Sequence, residues 1–366
     1  MNKIPETVLD TGKRHEFVLL FDVKEGNPNG DPDAANFPRI DPETGHGIVT
    51  DVALKRKIRD YLAMTRGTPI FIESRVALNT KILRAFREGG VEPPQVELDD
   101  EDVIEWFEQH EGDDFAIDGK MLVYSGEATK EADIRDNLLE FLEDGNGDPS
   151  LPTKLRTLAK RIAAVAKRQR ISTKQRDAAR DQLCRTYYDI RMFGAVLQTG
   201  LNAGQVRGPA QITFARSMDP IFPVERALTR QARTTTARMK TGNTEFGRKS
   251  TVAYGVYRAH GFFNPYLAEK TGVGSDDLEA LWDALRNLFE FDRSASRGEM
   301  GVCGLYVFSH DSKLGVAPAR DLFATIGVDP VQTSADVPPP RKFADYSVVV
   351  DESDLPAGIT LTRLVG

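Results

Sequence analysis

The fold is decided by residues 13–64, KRHEFVLLFDVKEGNPNGDPDAANFPRIDPETGHGIVTDVALKRKIRDYLAM. Its first part, KRHEFVLLFDV at 13–23, is a run of β-forming residues and predicts a strand. The strand ends in GNPNGDPD at 26–33, a cluster of residues that favour turns. A strand followed by a long polar turn is therefore expected at the start of the folded chain.

The remainder of this stretch, IVTDVALKRKIRDYLAM at 48–64, predicts a helix. Thr50 is a suitable N-cap, because its hydroxyl can accept a hydrogen bond from a free N–H of the first turn. The expected apolar face consists of Val52, Leu54, Ile58 and Leu62. The same helix carries Lys55, Arg56, Lys57 and Arg59, so one edge of it is basic.

Further strands and one more clear helix follow beyond residue 189. Strand composition recurs in IRMFGAVLQ (190–198), GPAQITFARS (208–217), TVAYGVYRAHGFF (251–263), GLYVFSH (304–310) and the C-terminal segment after VPPPRK. SDDLEALWDALRNLFEFD at 275–292 is the clearest amphipathic helix, with Ser275 as its expected cap. Its apolar stripe consists of Leu278, Leu281, Trp282, Leu285 and Leu288.

The order of these core elements is strand, helix, strand, strand, helix, strand, with insertions between them. This order predicts an α+β fold of the ferredoxin-like split βαβ kind, which RNA-recognition folds share. Many proteins of unrelated function use the same order, so the fold class alone does not identify the activity.

Charge is strongly segregated along the chain, although the net charge of −7 by itself argues against a nucleic-acid partner. Residues 92–148 contain twenty Asp or Glu and three basic residues, and short helices are expected there. Residues 154–191 reverse the sign, with twelve Lys or Arg against three Asp, and are expected to be helical. The two blocks could be solvated helix faces or could pack on each other.

The segment 207–258 is also basic, with ten Lys or Arg against three acids. Within it, residues 219–250 hold few large aliphatic residues after Leu228, so this part is expected to project from the body. Arginine can pair bidentately with phosphate, and an interleaved Met239 or Phe246 can wedge against a base. A plain solvated loop is the alternative.

The turn cluster at 26–33 has two possible roles. Asn27, Asn29, Asp31 and Asp33 alternate like calcium ligands, but Pro32 and Pro38 occupy the places where an EF-hand needs Gly and Glu, which excludes that site. The loop is either a rigid structural turn or a place where amides and N–H groups hold a phosphate or a sugar.

Catalytic chemistry is not expected. The five His show no metal-ligand spacing, Cys184 and Cys303 lie in no nucleophile motif, and HDSKLG at 310–315 is interpreted as a surface turn. No metal and no cofactor is predicted, and the two cysteines are expected to be reduced thiols. No signal peptide or membrane span is recognisable, so a soluble, cytoplasmic protein is expected.

Several blocks together resemble a known family. FDVKEGNPNGDPDAANFPRIDPETGHGIVTDVALKRKIRDY resembles the opening of the backbone subunit of type I-C CRISPR Cascade, in the seventh group of Cas proteins. GPAQITFARSMDPIFPVERALTRQA, GRKSTVAYGVYRAHGFFNPYLAEKTG, FEFDRSASRGEMGVCGLYVFSHDSKLG and RKFADYSVVVDESDLPAGITLTRLV are similar to its later blocks, in the same order. The stretch 68–188 matches less well and looks enlarged.

The resemblance implies a right-hand-shaped subunit of antiviral defence. Its modified RNA-recognition palm would comprise 13–66, 189–218 and 251–366, with a helical finger insertion at 67–188 and a projecting β-hairpin thumb at 219–250. Several copies would stack helically on one CRISPR guide RNA, together with other Cascade subunits, and present the guide to target DNA. The implied RNA-binding residues are Asn27, Asn29, Arg39, Lys55, Arg56, Arg59, Arg216, Arg226, Arg230, Arg248 and Lys249.

Two competing interpretations remain open. The first is a metal-dependent ribonuclease, because related backbone subunits of type III complexes cut target RNA with a loop aspartate, and Asp31 or Asp33 could take that role. The second is a protein-only filament or scaffold. Copurifying RNA distinguishes the scaffold from an RNA-binding subunit, and cleavage of matched RNA with magnesium identifies the ribonuclease.

Overall fold

The computed structural model describes residues 3–74, 76–109, 114–140, 150–169, 171–197, 202–230, 245–331, 338–353 and 355–366. The chain divides into two compact units. The first, here called the sheet unit, comprises Met1–Thr68, Ala210–Tyr266 and Val273–Gly366. The second, here called the insertion unit, comprises Pro69–Pro209 and Leu267–Gly272.

The described helices and strands are numbered in chain order. The strands are β1 His15–Gly26, β2 Gly30–Asp31, β3 Phe37–Pro38, β4 His46–Val49, β5 Gln95–Glu97, β6 Phe115–Asp118, β7 Met121–Tyr124, β8 Gly194–Leu197, β9 Gly204–Arg207, β10 Ala210–Ile212, β11 Ala215–Pro220, β12 Pro223–Arg230, β13 Glu245–Phe263, β14 Glu299–His310, β15 Ile326–Pro330, β16 Tyr346–Val350 and β17 Ile359–Val365. The helices are α1 Asp51–Arg66, α2 Leu78–Glu88, α3 Glu101–Gln109, α4 Glu131–Glu140, α5 Leu151–Ala166, α6 Thr173–Thr186, α7 Tyr188–Phe193, α8 Pro265–Thr271, α9 Ser275–Arg286 and α10 Ala319–Ala324.

The sheet unit is built on one antiparallel sheet with the strand order β17-β14-β1-β13-β11-β4, and β10 and β12 also pair with β13. Strand β1 is central, so that His15 pairs with Phe263 on one side and with Ser309 on the other. A central strand is covered on both faces, which explains why Phe17 to Phe21 are an unbroken apolar run with no exposure above 1%. The predicted mixed α+β fold with an antiparallel sheet is confirmed.

Helix α1 begins where the sequence predicts. The Thr50 hydroxyl accepts a hydrogen bond from Ala53 N–H at 3.3 Å, and Gly67 ends the helix in the left-handed conformation at φ 62°. Leu54, Ile58 and Leu62 are buried, but the prediction for Val52 was wrong, since Val52 is 65% exposed. Val52 lies in the first turn, before the helix face reaches the core.

Helix α9 packs its apolar stripe as predicted, but its cap differs. Gly274 precedes the helix and Ser275 is its first residue, so the prediction that Ser275 is the cap was wrong. The Asp277 carboxylate accepts the Gly274 N–H at 3.0 Å and satisfies that end of the helix. Trp282 is fully buried and donates its indole N–H to Val8 O at 2.8 Å.

The insertion unit contains more than helices. The expected helices of the acidic and basic blocks are present, and β5, β7 and β6 form a three-stranded sheet beside them that the charge pattern did not predict. Residues 190–193, expected as strand, belong to helix α7, and only Gly194–Leu197 is extended. Tyr124, Leu138 and Leu155 belong to one core cluster, which holds α3, α4, α5 and this small sheet together.

A second cluster of the insertion unit is fixed by two buried charges. The Asp189 carboxylate accepts the N–H groups of Phe71 and Ile72 at 2.7 and 3.0 Å. The Lys81 ammonium donates to the carbonyls of Ile70 and Phe71 at 2.7 and 2.8 Å. Buried charges of this kind are tolerated because each is fully hydrogen-bonded.

No helix among the described residues is long and apolar enough to cross a membrane.

Candidate nucleic-acid interface

Two cations face each other at the base of the hairpin formed by β12 and β13. Arg226 pairs with Lys249 in the antiparallel ladder, and Ala227 pairs with Arg248. Directly opposite residues share a face of the ladder, so Arg226 and Lys249 lie on one side and Arg248 on the other. The base of the hairpin therefore presents positive charge on both of its faces.

Each of these side chains retains exposed surface. The Arg226 side chain is 45% exposed, and its guanidinium lies 3.1 Å from the carboxylate of Glu25, the second-last residue of β1. Arg248 is 76% exposed and its guanidinium lies 3.4 Å from Glu225. Ion pairs at this exposure are weak and easily exchanged for another anion, such as a phosphate.

A loop at 292–298 lies against the hairpin base. Lys249 donates to Ala295 O at 3.3 Å, Asn27 N–H donates to Ser296 O at 2.7 Å, and Arg297 donates to Asn27 O at 3.1 Å. A Cβ at Gly26 would lie 1.8 Å from Arg297 O, which shows how closely the two backbones approach. Arg297, absent from the predicted site, thus belongs to the same surface.

The two asparagines of the turn cluster have structural partners. The Asn29 carboxamide oxygen accepts both the N–H and the hydroxyl of Thr50, each at 2.9 Å, and so connects the loop to the start of α1. Asn27 is 4% exposed and donates to Asn36 O at 2.7 Å, while its carboxamide oxygen is buried without a protein partner. Both residues shape the loop, and direct RNA contact by them remains a prediction.

Arg39 and the loop aspartates form a second small group. An Arg39 guanidinium nitrogen lies 3.5 Å from Asp31, and its buried Nε has no protein partner. Asp31 also stabilises the loop itself. Its carboxylate accepts the Asp33 N–H at 3.2 Å and caps the start of a short 3₁₀ turn. Arg39 N–H donates to Asn29 O at 3.1 Å, which places this group beside the asparagines.

Helix α1 uses most of its cations within the protein. Lys55 is 9% exposed and donates to Asp51 and Gln211 at 3.0 and 3.2 Å, while Arg59 is 6% exposed. Arg56 is half exposed and pairs with Asp60 at 2.8 Å. A phosphate would have to displace these partners before it could bind. Lys55 and Arg59 are therefore predicted contacts whose side chains are buried, whereas the Arg56 side chain is half exposed.

Lys57 of α1 was not among the predicted RNA-binding residues. It is 6% exposed and its ammonium makes a close ion pair with Asp292 of the 292–298 loop, which also lies 3.3 Å from Arg297. Burial lowers the pKa of Lys57, and the Asp292 carboxylate partly offsets that effect. Lys57 and Asp292 thus anchor the loop that accepts the Lys249 hydrogen bond.

Arg216 lies apart from the hairpin base, on β11. It is 59% exposed, pairs with Asp41 at 2.7 Å, and its hydrogen bond lowers the pKa of that carboxyl. The structure brings Arg226, Lys249 and Asn27 together at the hairpin base, with Arg248 on the opposite face of the ladder, and places Asn29 and Arg39 in an adjoining group. Arg230 ends β12, but its side chain lies outside the described part of the structure, as do residues 231–244 of the proposed thumb.

The chemistry of the region is that of an anion-binding surface. Among the described residues, no three His, Cys, Asp or Glu side chains lie together as metal ligands. Cys303 is a free thiol, and burial raises its pKa to about 12, so it is a poor nucleophile. Guanidinium, ammonium and backbone N–H groups are the donors that hold phosphate and ribose oxygens.

Comparisons with known proteins cover different parts of the chain. The model of a family described as CRISPR-associated protein Cas7 matches residues 13–351. A curated CRISPR-associated protein Cas7 from Haloferax volcanii is 40% identical over 102 residues, which are 27% of this chain and 29% of that relative. The matched part therefore spans less than a third of the length of that relative.

Two solved structures are similar at low sequence identity. One, described as a CRISPR RNA-guided surveillance complex in a pre-nicking state, is 14% identical with a TM-score of 0.42, over 81% of this chain and 78% of the other. The second, a CRISPR RNA-guided surveillance complex, is 14% identical with a TM-score of 0.37, over 81% and 75% of the two chains.

Proposed function

Since the chain belongs to the Cas7 family, we propose that it is an RNA-binding backbone subunit of a type I-C Cascade surveillance complex. In this role it polymerises in the cytoplasm along a CRISPR guide RNA, next to other Cascade subunits, and presents the guide for pairing with target DNA. The Cas7 family assignment is the premise, and the type, the guide and the partners are proposals.

The observation that supports RNA binding most directly is the facing pair Arg226 and Lys249 at the base of the β12–β13 hairpin. A guide must be bound whatever its spacer sequence, so contacts should go to phosphate and ribose rather than to base edges. Partly exposed guanidinium and ammonium groups held side by side on a β-ladder meet that need. Sequence is then read by pairing between guide and target.

The architecture is consistent with the palm, finger and thumb proposal. In the main sheet, β14 lies beside β1, β1 beside β13, and β13 beside β11, which is the strand order of a ferredoxin-like sheet. We propose that the fingers, expected at 67–188, lie within the insertion unit, which continues to Pro209, and that β12 and the first residues of β13 belong to the thumb expected at 219–250. An overall charge of −7 would limit adventitious nucleic-acid binding outside the cationic region.

We further propose that the subunit has no catalytic activity of its own. Asp31, one of the two aspartates that a type III-like nuclease could use, pairs with Arg39 and accepts the N–H of the other, Asp33. A carboxylate engaged in this way shapes the loop, and a metal would have to compete with the guanidinium for it.

The test is to coexpress the full chain with a guide array and to sequence the RNA that copurifies. The expected result is RNA of repeat and spacer sequence, bound equally for unrelated spacers. Protein free of nucleic acid would support the scaffold alternative and overturn the proposal. Cleavage of matched RNA by the assembled complex with magnesium, lost in Asp33→Ala, would overturn the non-catalytic assignment.

A further inference from the structure

The outer surface of helix α5 in the insertion unit carries exposed cations and no acidic residue. Arg156, Lys160 and Lys167 follow one another at spacings of four and seven residues, so they lie on one side of the helix and its immediate end, and all three are exposed. None of the three makes an ion pair with another described residue. These three residues are called the α5 stripe.

The neighbouring helix α4 carries the opposite charge on its outer surface. Asp133, Asp136 and Glu140 are spaced by three and four residues and are all exposed, while Ile134 and Leu138 are fully buried. Asp136 pairs with the adjacent Arg135 at 2.7 Å, and Asp133 and Glu140 have no ion pair with a described residue. Asp133, Asp136 and Glu140 are called the α4 stripe.

The two stripes do not neutralise each other within one copy. Helices α4 and α5 pack through their apolar sides, since Ile134 and Leu138 belong to the same core cluster as Leu155 and Ile162. A helix that buries its apolar side turns its charged side to solvent. One unit therefore presents an acidic surface, on which Asp133 and Glu140 have no ion pair with a described residue, and a basic surface at the same time.

The side of α5 that carries Lys154, Leu158 and Arg161, next to the side of the α5 stripe, fits a protein better than a nucleic acid. A groove of about 450 Å³ between α3 and α5 has an apolar floor that includes Leu98 and Leu158. Its rim holds Asp100, 2.9 Å from Lys154, and Asp99, 3.8 Å from Arg161. Carboxylates beside an apolar floor repel a phosphate chain, whereas they are ordinary features of a protein interface.

We propose that the α5 stripe of one copy docks against the α4 stripe of the next copy along the array. The proposal rests on the proposed polymerisation along a guide, and names the surfaces through which successive insertion units meet. The α4 stripe spans seven helical steps, about 10 Å, and the α5 stripe spans eleven, about 16 Å, so at least two ion pairs can form at once. Contact between different surfaces of identical copies is head-to-tail, which builds an open helical array when the rotation between copies does not close, rather than a two-fold dimer.

The experiment is a charge exchange in the full chain coexpressed with a guide array. One variant is Lys160→Glu with Lys167→Glu, which makes both stripes acidic, and the other is Asp133→Lys with Glu140→Lys, which makes both basic. Each variant alone should associate between copies on the order of tenfold to a hundredfold more weakly, because like charges then meet. Native mass spectrometry should show fewer copies per guide RNA.

Mixing the two variants is the decisive arm. Every contact between unlike variants pairs an acidic with a basic stripe, so the mixture should recover the wild-type copy number with the two variants alternating. All four substitutions in one chain should also recover it. Arg320→Glu with Lys342→Glu, two exposed residues of the sheet unit, is the control with the same charge change as Lys160→Glu with Lys167→Glu and should assemble normally.

Three outcomes overturn the inference. Wild-type copy number in either variant alone would show that the stripes do not meet. A second outcome combines two results: the mixture fails to recover assembly, and Lys160→Glu with Lys167→Glu binds an RNA long enough for one copy more weakly. This outcome would assign α5 to nucleic-acid binding. Absence of guide RNA from the wild-type protein as well would instead remove the proposed function on which the inference rests.

Discussion

Arg226 lies directly opposite Lys249 where the β12–β13 hairpin joins the main sheet. Twenty-three residues separate them in sequence, and the ladder alone brings them together. Arg226 also contacts Glu25 at the end of β1, and Lys249 contacts Ala295 O. The hairpin base, β1 and the 292–298 loop thus share one small surface.

Reversal of this pair should weaken RNA binding without regard to guide sequence. For Arg226→Glu with Lys249→Glu, we expect the slope of log affinity against log salt to fall by about 1.4, since each phosphate contact to a single strand contributes about 0.7. Filter binding at several salt concentrations with unrelated guides measures this. Arg320→Glu with Lys342→Glu is the matched control, and an unchanged slope would remove the hairpin base from the interface.

Loss of the Asn29 carboxamide should destabilise the sheet unit. In Asn29→Ala the Thr50 N–H and hydroxyl lose their acceptor, and we expect the free energy of unfolding to fall by about 1–3 kcal/mol. Denaturant unfolding measures the change. Asn29→Asp keeps an oxygen acceptor and should be close to wild type in stability, so a large loss in Asn29→Asp would contradict the structural role.

A methyl group at Gly26 should separate β1 from the 292–298 loop. The new Cβ would lie 1.8 Å from the backbone oxygen of Arg297. Neither atom belongs to a flexible side chain that could rotate away, so the loop must move. Gly26→Ala should lower the free energy of unfolding by about 1–3 kcal/mol and weaken RNA binding. Gly247→Ala, where a Cβ meets nothing within 4 Å, is the control, and equal behaviour of the two variants would refute the close approach.

Stability should fall as the pH drops below neutrality. Burial, with Arg258 nearby, lowers the pKa of His260 to about 4, whereas an unfolded histidine titrates near 6.5. The unfolded chain therefore binds more protons between those values, so the stabilisation present above about 6.5 is lost progressively towards 4. Burial lowers the pKa of His15 in the same direction.

Thermal midpoints measured across this pH window test the expectation. His260→Gln keeps an acceptor for the Arg258 N–H that the His260 ring now accepts at 2.9 Å, and removes the titrating ring. It should show a shallower decline in midpoint with falling pH than wild type. A midpoint that is constant or rises on acidification in the wild-type protein would contradict the assignment.

The sequence predicted correctly the helices and strands that are determined by residues close together in the chain. Strand β1 and helix α1 were predicted because an apolar run, a turn cluster and a capping threonine all lie within residues 13–64. Val52 and Ser275 were misjudged at helix ends, where one residue changes whether a side chain faces the core or caps the helix. Helix ends are decided by tertiary contacts as much as by local sequence.

The composition of the candidate site depended on contacts that no local pattern encodes. Lys57 and Asp292 are 235 residues apart in sequence, and only the fold joins them. The same holds for Asn27 and Arg297, whose hydrogen bond spans 270 residues. Residue type predicted which side chains could bind phosphate. The sequence did not predict which of them are buried in the fold, as Lys55 and Arg59 are.

Strand β13 is nineteen residues long and belongs to both the hairpin and the main sheet. Its backbone is continuous from the register of Lys249 with Arg226 to that of Phe263 with His15. Inserting a single residue near Val252 would turn Arg248 and Lys249 of β13 to the opposite faces. Natural length variation in this arm should therefore occur as pairs of residues added at its far end, one on each strand.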